Sequence, residues 1–227
     1  MKNFKLEMNI IVSNEIESVC PQFAGAAVEA RVVNTPRSEG LWAEINALCE
    51  SYKQQFDTTT IKQLPGVEAT RRVYRACGKD PSRYRPSSEA LIRRVVQGKD
   101  LYQIDTLVDL INLASMKFGY SIGGFDADKF EGDTLTLGVG KKDEPYEGIG
   151  RGILNIEGMP VYRDSRGGVG TPTSDNERTK IELSTTHLFV IVNGYDGNRE
   201  TVNANALYIK DLLERFAEGK DIQIIDF

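Results

Sequence analysis

Leu107-Val108-Asp109-Leu110-Ile111-Asn112-Leu113-Ala114-Ser115-Met116-Lys117-Phe118-Gly119-Tyr120-Ser121-Ile122-Gly123-Gly124-Phe125-Asp126-Ala127-Asp128-Lys129-Phe130 is the stretch that decides how the rest of the chain is read. At about 100° per residue, Leu107, Leu110, Ile111, Ala114 and Phe118 gather on one side, the stripe of a helix with one buried face. Asp109 and Asn112 fall on the opposite flank one turn apart, a polar pair that packing does not require. Gly119 follows the last apolar residue, where a glycine C-cap ends a helix. Residues 122–130 then read as an extended segment with two adjacent glycines and two aspartates.

Outward from this stretch, the pattern is mixed. Residues 4–12 read as an edge strand, 14–19 as a short helix with Ser13 as N-cap, and 24–33 as a second strand broken by Asn34-Thr35-Pro36. Ser38 opens a helix on which Trp42, Ile45, Cys49, Tyr52 and Phe56 recur at helical spacing, so the only tryptophan is a core or interface anchor. Residues 67–77 form a helix closed by Gly78. Ser87 is the expected N-cap of another over 88–97.

After residue 130 the character turns to β. Residues 134–139 alternate cleanly, 153–156 and 159–163 read as a hairpin around Glu157-Gly158, and 180–192 as a long strand pair or one long bent strand. A helix over 201–217 and a last strand at 222–225 follow. No repeat or linker divides the chain. The expectation is a single α+β domain over 1–227, with helices concentrated before residue 130 and strands after it.

Composition narrows the function classes. The chain has 227 residues, 28 Lys+Arg against 33 Asp+Glu, a net charge of −5 and 40% hydrophobic residues. This is an ordinary soluble composition with no long apolar run, so no membrane span is expected. The first residues lack the apolar core of a secretory leader. Three scattered cysteines (Cys20, Cys49, Cys77) fit buried thiols in a reducing, cytoplasmic compartment. Net acidity argues against coating nucleic acid by bulk charge. A local basic stripe stands out all the same: Arg71, Arg72, Arg75, Lys79, Arg83, Arg85, Arg93 and Arg94 against only Asp80 and Glu89. It is either a focused site for an anionic partner or a solvated face with internal ion pairs. The loop Ser82-Arg83-Tyr84-Arg85-Pro86 suits base stacking and phosphate contact, or a packed surface crossing.

Catalytic groupings are sparse. The single histidine, His187, has no Gly-x-Ser-x-Gly elbow to serve and reads as structural or solvent-facing. No His/Cys pair has metal-ligand spacing, so no metal is expected. The clusters Gly148-Ile149-Gly150-Arg151-Gly152 and Gly167-Gly168-Val169-Gly170 lack the marks of a P-loop or a dinucleotide fingerprint. No nucleotide cofactor is expected. Such glycines allow close backbone approach to a ligand.

The opening stretch also resembles a segment of the B3/B4 domain of the phenylalanyl-tRNA synthetase beta subunit. That family carries Val-Val-Asp-Val-Thr-Asn, a helix, and Gly-Gln-Pro-Leu-His-Ala-Phe-Asp-Leu-Asp-Lys. Val108, Asp109, Asn112, Gly119, Phe125, Asp126, Asp128 and Lys129 match in one colinear register. Weaker likeness extends over 88–195, through Glu144, Tyr162-Arg163-Asp164 and Glu177-Arg178-Thr179-Lys180. On this basis 1–86 is an N-terminal extension of helices and strand, 88–195 the B3/B4-like core, and 196–227 a C-terminal helix and strand.

The resemblance implies a pocket for an aromatic aminoacyl group on a tRNA end, and ester hydrolysis as the family's chemistry. It implies substrate contacts at Asp109, Asn112, Gly123, Gly124, Phe125, Gly167 and Gly168. The catalytic candidates are Asp126, Asp164 and Thr179, with Asp175 and Glu177 also near enough to the glycine loop to orient a water. Arg83, Arg85, Arg93 and Arg94 are the expected RNA contacts. One departure is plain: Gly123-Gly124 stands where the family has His-Ala, so that a donor is lost and the pocket is expected to be larger. Three functions are consistent with these residues: binding of tRNA or its aminoacyl end, trans-acting aminoacyl-tRNA hydrolysis, and a non-nucleic module that binds an aromatic amino acid or a protein.

Overall fold

The computed structural model describes residues 8–227. Its centre is the pair of long strands Ala24–Arg31 (β2) and His187–Gly194 (β9), which run antiparallel in a four-stranded sheet. Lys220–Asp226 (β10) flanks β2 and Ile122–Asp126 (β3) flanks β9, giving the order β10-β2-β9-β3. β2 and β9 are apolar at nearly every position because both faces are covered. Ala24, Ala26, Val28, Leu188, Val190 and Val192 meet helices, while Ala27, Phe189 and Ile191 meet a second sheet. Alternation of neighbouring residues between two cores follows from the two-residue period of a strand.

The helical layer comprises Glu39–Gln55 (α2), Thr106–Phe118 (α5) and Arg199–Phe216 (α6). Trp42 and Ile45 of α2 share one core with Leu107, Leu110 and Ala114 of α5 and with Val202, Ala206 and Ile209 of α6. Local sequence defines the ends. Ser38 accepts the Leu41 amide, Asp105 accepts the Val108 amide at 2.9 Å, and Asn198 accepts the Thr201 amide. Gly119 closes α5 in the left-handed region at φ +73, a conformation that costs a residue with a Cβ. Pro65–Ala76 (α3) and Ser87–Val96 (α4) complete the helices that position the site.

The second sheet has the order β1-β4-β7-β8, with Asn9–Val12 (β1) parallel to Thr134–Val139 (β4) and the rest antiparallel. Pro160–Arg163 (β7) and Gly168–Gly170 (β8) finish it. Phe125, Leu135, Leu137, Tyr162 and Val169 fill the space between the two sheets. Glu147–Gly148 (β5) and Gly152–Ile153 (β6) form a separate small hairpin.

The architecture is α+β, with several local corrections. Residues 159–163 pair with β4, not with 153–156, because Gly140 takes the turn: its amide donates to Met159 and its carbonyl accepts from Gly158. The long strand expected from residue 180 begins only at His187. Before it, the Thr185 amide and hydroxyl close a turn on Glu182. Ser87 is the first residue of α4 and Pro86 holds the N-cap position; the Ser87 amide donates to Pro172. Ser13 makes no side-chain cap bond. The edge strand is Asn9–Val12; residues 4–7 of that expectation lie outside the described residues. Helices and strands do not separate along the chain, since β2 from the first half is an inner strand of the main sheet. No helix among the described residues is long and apolar enough to cross a membrane.

Candidate functional site

A cavity of about 250 Å³ opens between α5, the N-terminus of α4, the edge of β3, the β5–β6 hairpin and the segments 171–175 and 180–181. Ile104, Val108, Ile111, Ile122, Ile149 and Ile181 supply its apolar wall. Ser87, Asn112, Ser115, Thr171, Ser174, Asp175 and Lys180 supply the polar groups. An apolar body with a few convergent polar groups is the usual composition of a small-ligand site.

Asp175 is the only carboxylate in this lining. β3 is an edge strand, and the Gly124 amide on its open side donates to Asp175 Oδ2 at 3.1 Å. Burial pushes the Asp175 carboxyl up from the ordinary aspartate range to about 7, against the lowering effect of that amide. Glycines make the room. A Cβ at Gly170 would stand 2.9 Å from Asp175 Oδ1, and one at Gly123 3.5 Å from it. The segment that carries Asp175 is folded on itself: Thr171 Oγ1 donates to the Ser174 carbonyl at 2.9 Å, and the Tyr146 hydroxyl donates to the same oxygen at 2.7 Å. Lys180 is ion-paired with Glu177.

The residues expected at the site divide into groups. Asn112 and Gly124 line the cavity. Gly124 lets the apolar wall pack onto its backbone, because a Cβ would lie 2.5 Å from Ile111 Cδ1 and 3.1 Å from Ile181 Cδ1. Gly123, one residue earlier, faces the other way. Its Cβ would meet the Phe125 ring at 2.8 Å, and Phe125 is buried between the two sheets. The larger pocket expected from the loss of a histidine at Gly123 is therefore not found there: Gly123 faces the inter-sheet core and only Gly124 reaches the cavity lining. Asp109 is buried under α2, where Oδ2 accepts the Trp42 indole N–H at 2.7 Å and Oδ1 accepts the Ile104 amide at 3.1 Å. It holds the segment leading to Ile104 and does not line the cavity. Its pKa is raised by burial.

Asp126 caps the turn after β3, accepting the Thr185 hydroxyl at 2.9 Å and the Asp128 amide at 3.2 Å. Asp164 is closed in by Arg178 at 2.9 Å and by the amides of Glu131, Arg166 and Gly167. Neither carboxylate lines the cavity. The Thr179 hydroxyl is buried with no hydrogen-bond partner among the described residues. Gly167 and Gly168 border a separate depression with Tyr146, Asn176 and Arg178.

The basic stripe is partly neutralised from within. Glu89, with a fully buried side chain, takes Arg71 at 2.8 Å, Arg93 at 2.9 Å and Arg85 at 3.6 Å. Three guanidiniums on one carboxylate leave a local excess of positive charge beside α4, whose first residue lines the cavity. Arg83 lies over the Tyr84 ring at 5.5 Å and Arg94 over Tyr102 at 3.9 Å. His187 stands apart from the cavity, with Nε2 2.5 Å from Glu29 and Nδ1 2.8 Å from Asp128. These carboxylates raise its pKa. The three cysteines are free, and burial pushes the Cys20 thiol up to about 11, away from nucleophilic reactivity.

In the sequence, only nearness to the glycine loop points to Asp175, and nothing marks Ile104, Ser115, Ile149, Thr171, Ser174 and Ile181 as lining residues. They come from stretches far apart in the chain, and none carries a periodic signal.

Comparison with known proteins follows the same lines. Among curated proteins, none matches. A solved N-terminal fragment of the phenylalanyl-tRNA synthetase beta subunit from Pyrococcus horikoshii shares the fold, with a TM-score of 0.53 and 15% identity. The likeness covers 96% of this chain and 54% of that chain, so this chain spans about half the length of that fragment. A family model described as the B3/4 domain matches residues 69–226, reaching beyond 88–195 at both ends. The chain therefore belongs to the B3/4 domain family.

Proposed function

We propose that this protein binds the aminoacylated 3′ end of a tRNA, with the acyl side chain in the isoleucine-lined cavity and Asp175 at the ester end. The observation that carries this reading is the lone Asp175 carboxylate in a cavity walled largely by isoleucine, poised near neutral pH. As a carboxylate it attracts the α-ammonium of an aminoacyl group. The excess positive charge around Glu89, with Arg83 and Arg85 exposed nearby, supports contact with the phosphodiester backbone. Filter binding of total tRNA at low salt tests it. Retention by the wild type that falls on charge reversal at Arg83 and Arg85 is the expected result, and no retention at all refutes it.

Hydrolysis of the bound ester is a second reading, favoured by the same carboxyl. A general base works best when its pKa lies near the working pH. Asp175 would take a proton from water as the oxygen adds to the ester carbonyl. The acyl–oxygen bond then breaks and the ribose oxygen leaves protonated. Deacylation of a panel of mischarged tRNAs decides between binding alone and turnover: a rate above the spontaneous one that Asp175→Asn abolishes marks turnover.

A further inference from the structure

Part of the exposed apolar surface borders the cavity. Of the eight large apolar side chains that stand exposed among the described residues, Ile104 (56%) and Ile149 (41%) line the cavity itself. Tyr102 and Leu183 each stand two residues from a lining isoleucine, and Ile153 lies in the hairpin that carries Ile149. Exposed apolar groups concentrated in one place mark a contact surface.

Tyr102 differs from the others. It is 68% exposed and carries the Arg94 guanidinium 3.9 Å from its ring centroid. The loop that bears it is fastened at several points, although it has no regular secondary structure. Arg94 Nε donates to the Asp100 carbonyl at 2.5 Å, Gln103 Nε2 to the Pro36 carbonyl at 2.8 Å, and the Ile104 amide to buried Asp109. A largely exposed ring on a fixed loop, with a cation against it, has the character of a base-stacking platform: every nucleobase offers a π face, and the guanidinium complements the adjoining phosphate. It lies two positions before Ile104 in the cavity wall, with only Gln103 between, and a chain that short spans at most about 7 Å, comparable to one nucleotide step.

We propose that Tyr102, backed by Arg94, stacks the unpaired base that precedes the acyl-bearing nucleoside, so that the cavity mouth recognises a single-stranded RNA 3′ end. This rests on the reading of the cavity given above. It adds a second, separable contact: the acyl group is held in the cavity, and the neighbouring base outside it.

The test uses two probes with the full chain. One is a short single-stranded RNA bearing a 3′-terminal aminoacyl amide and 2-aminopurine as the penultimate base. The other is the aminoacyl-amide nucleoside alone. With wild type, the oligonucleotide is expected to bind more tightly than the nucleoside, and its 2-aminopurine fluorescence to be quenched. Tyr102→Ala is expected to weaken oligonucleotide binding about 5- to 100-fold, to abolish the quenching and to leave nucleoside binding unchanged. Tyr102→Phe keeps the ring and both effects, and Arg94→Gln lowers the salt dependence by about one phosphate. Equal oligonucleotide binding by wild type and Tyr102→Ala, or an oligonucleotide that binds no better than the nucleoside, overturns the platform and leaves the cavity reading standing. If neither probe binds, both fail. Self-association that Tyr102→Ala abolishes, with no effect on RNA, assigns the rim to a second copy of the chain and overturns the proposal.

Discussion

Replacing Asp175 with asparagine removes one ionisable group while keeping an oxygen that can accept the Gly124 amide. The folded carboxyl sits at about 7 against an ordinary value of 3.8. That is a difference of about three units, and each is worth about 1.4 kcal/mol, so ionised Asp175 costs folding up to about 4 kcal/mol. The sign follows from proton linkage. Between about pH 4 and pH 7 the folded chain holds a proton at Asp175 that the unfolded chain has lost, so stability falls as pH rises through this window and is level above it. Asp175→Asn escapes that loss. Urea unfolding of both proteins from pH 4 to pH 9 measures it: the two curves should converge near pH 4, and the variant should be more stable by a few kcal/mol at pH 8. A stability difference independent of pH, or a variant less stable at pH 8, would refute the assignment of a desolvated carboxyl.

Other consequences follow from single contacts. His187 has its pKa raised by Glu29 and Asp128, so its charged form stabilises the fold below about pH 6.5 and that contribution is lost as pH rises through the folded value. His187→Gln should therefore lower the melting temperature at pH 5.5 more than at pH 8.5, and equal losses at both would count against it. Gly124→Val pushes Ile111 and Ile181 off the β3 backbone and into the cavity; it should cost about 1–3 kcal/mol by overpacking and remove ligand binding in calorimetry. Trp42→Phe leaves buried Asp109 short of one donor and should destabilise by about 1–3 kcal/mol in urea, with the Tyr102 loop exchanging amide hydrogens faster. Glu89→Ala leaves Arg71 and Arg93 without their buried counter-charge; a loss of about 3–5 kcal/mol in chemical unfolding is expected.

Local chemistry made most of the fold legible. The stripe of α5, its Gly119 end and the Ser38 cap of α2 are all short-range signals, and the structure keeps them. The failures came where distant segments decide the outcome. Asp109 looked available because it lies off the apolar stripe, yet Trp42 reaches it from 67 residues away. Gly123 and Gly124 are equivalent as a pair in sequence, but a strand turns neighbours to opposite faces, so only Gly124 lines the cavity. Residues 159–163 carried a clear strand signal without a partner, and only the turn at Gly140 assigns them to β4. For the arginine stripe the sequence left a focused anion site and internal ion pairs both open; the ion pairs form, on buried Glu89, but their number and burial depend on contacts between α3 and α4 that no short-range signal carries.

The claim on which the account turns is that Asp175 and the isoleucine wall hold an aminoacyl group. Isothermal titration of a non-hydrolysable 3′-aminoacyl-amide adenosine against wild type, Asp175→Asn and Gly124→Val tests it without any need for turnover. The account predicts measurable binding by wild type for at least one apolar aminoacyl group, weakened in Asp175→Asn and absent in Gly124→Val. Absence of binding by wild type across aliphatic and aromatic aminoacyl groups, or binding unchanged by both substitutions, would contradict it.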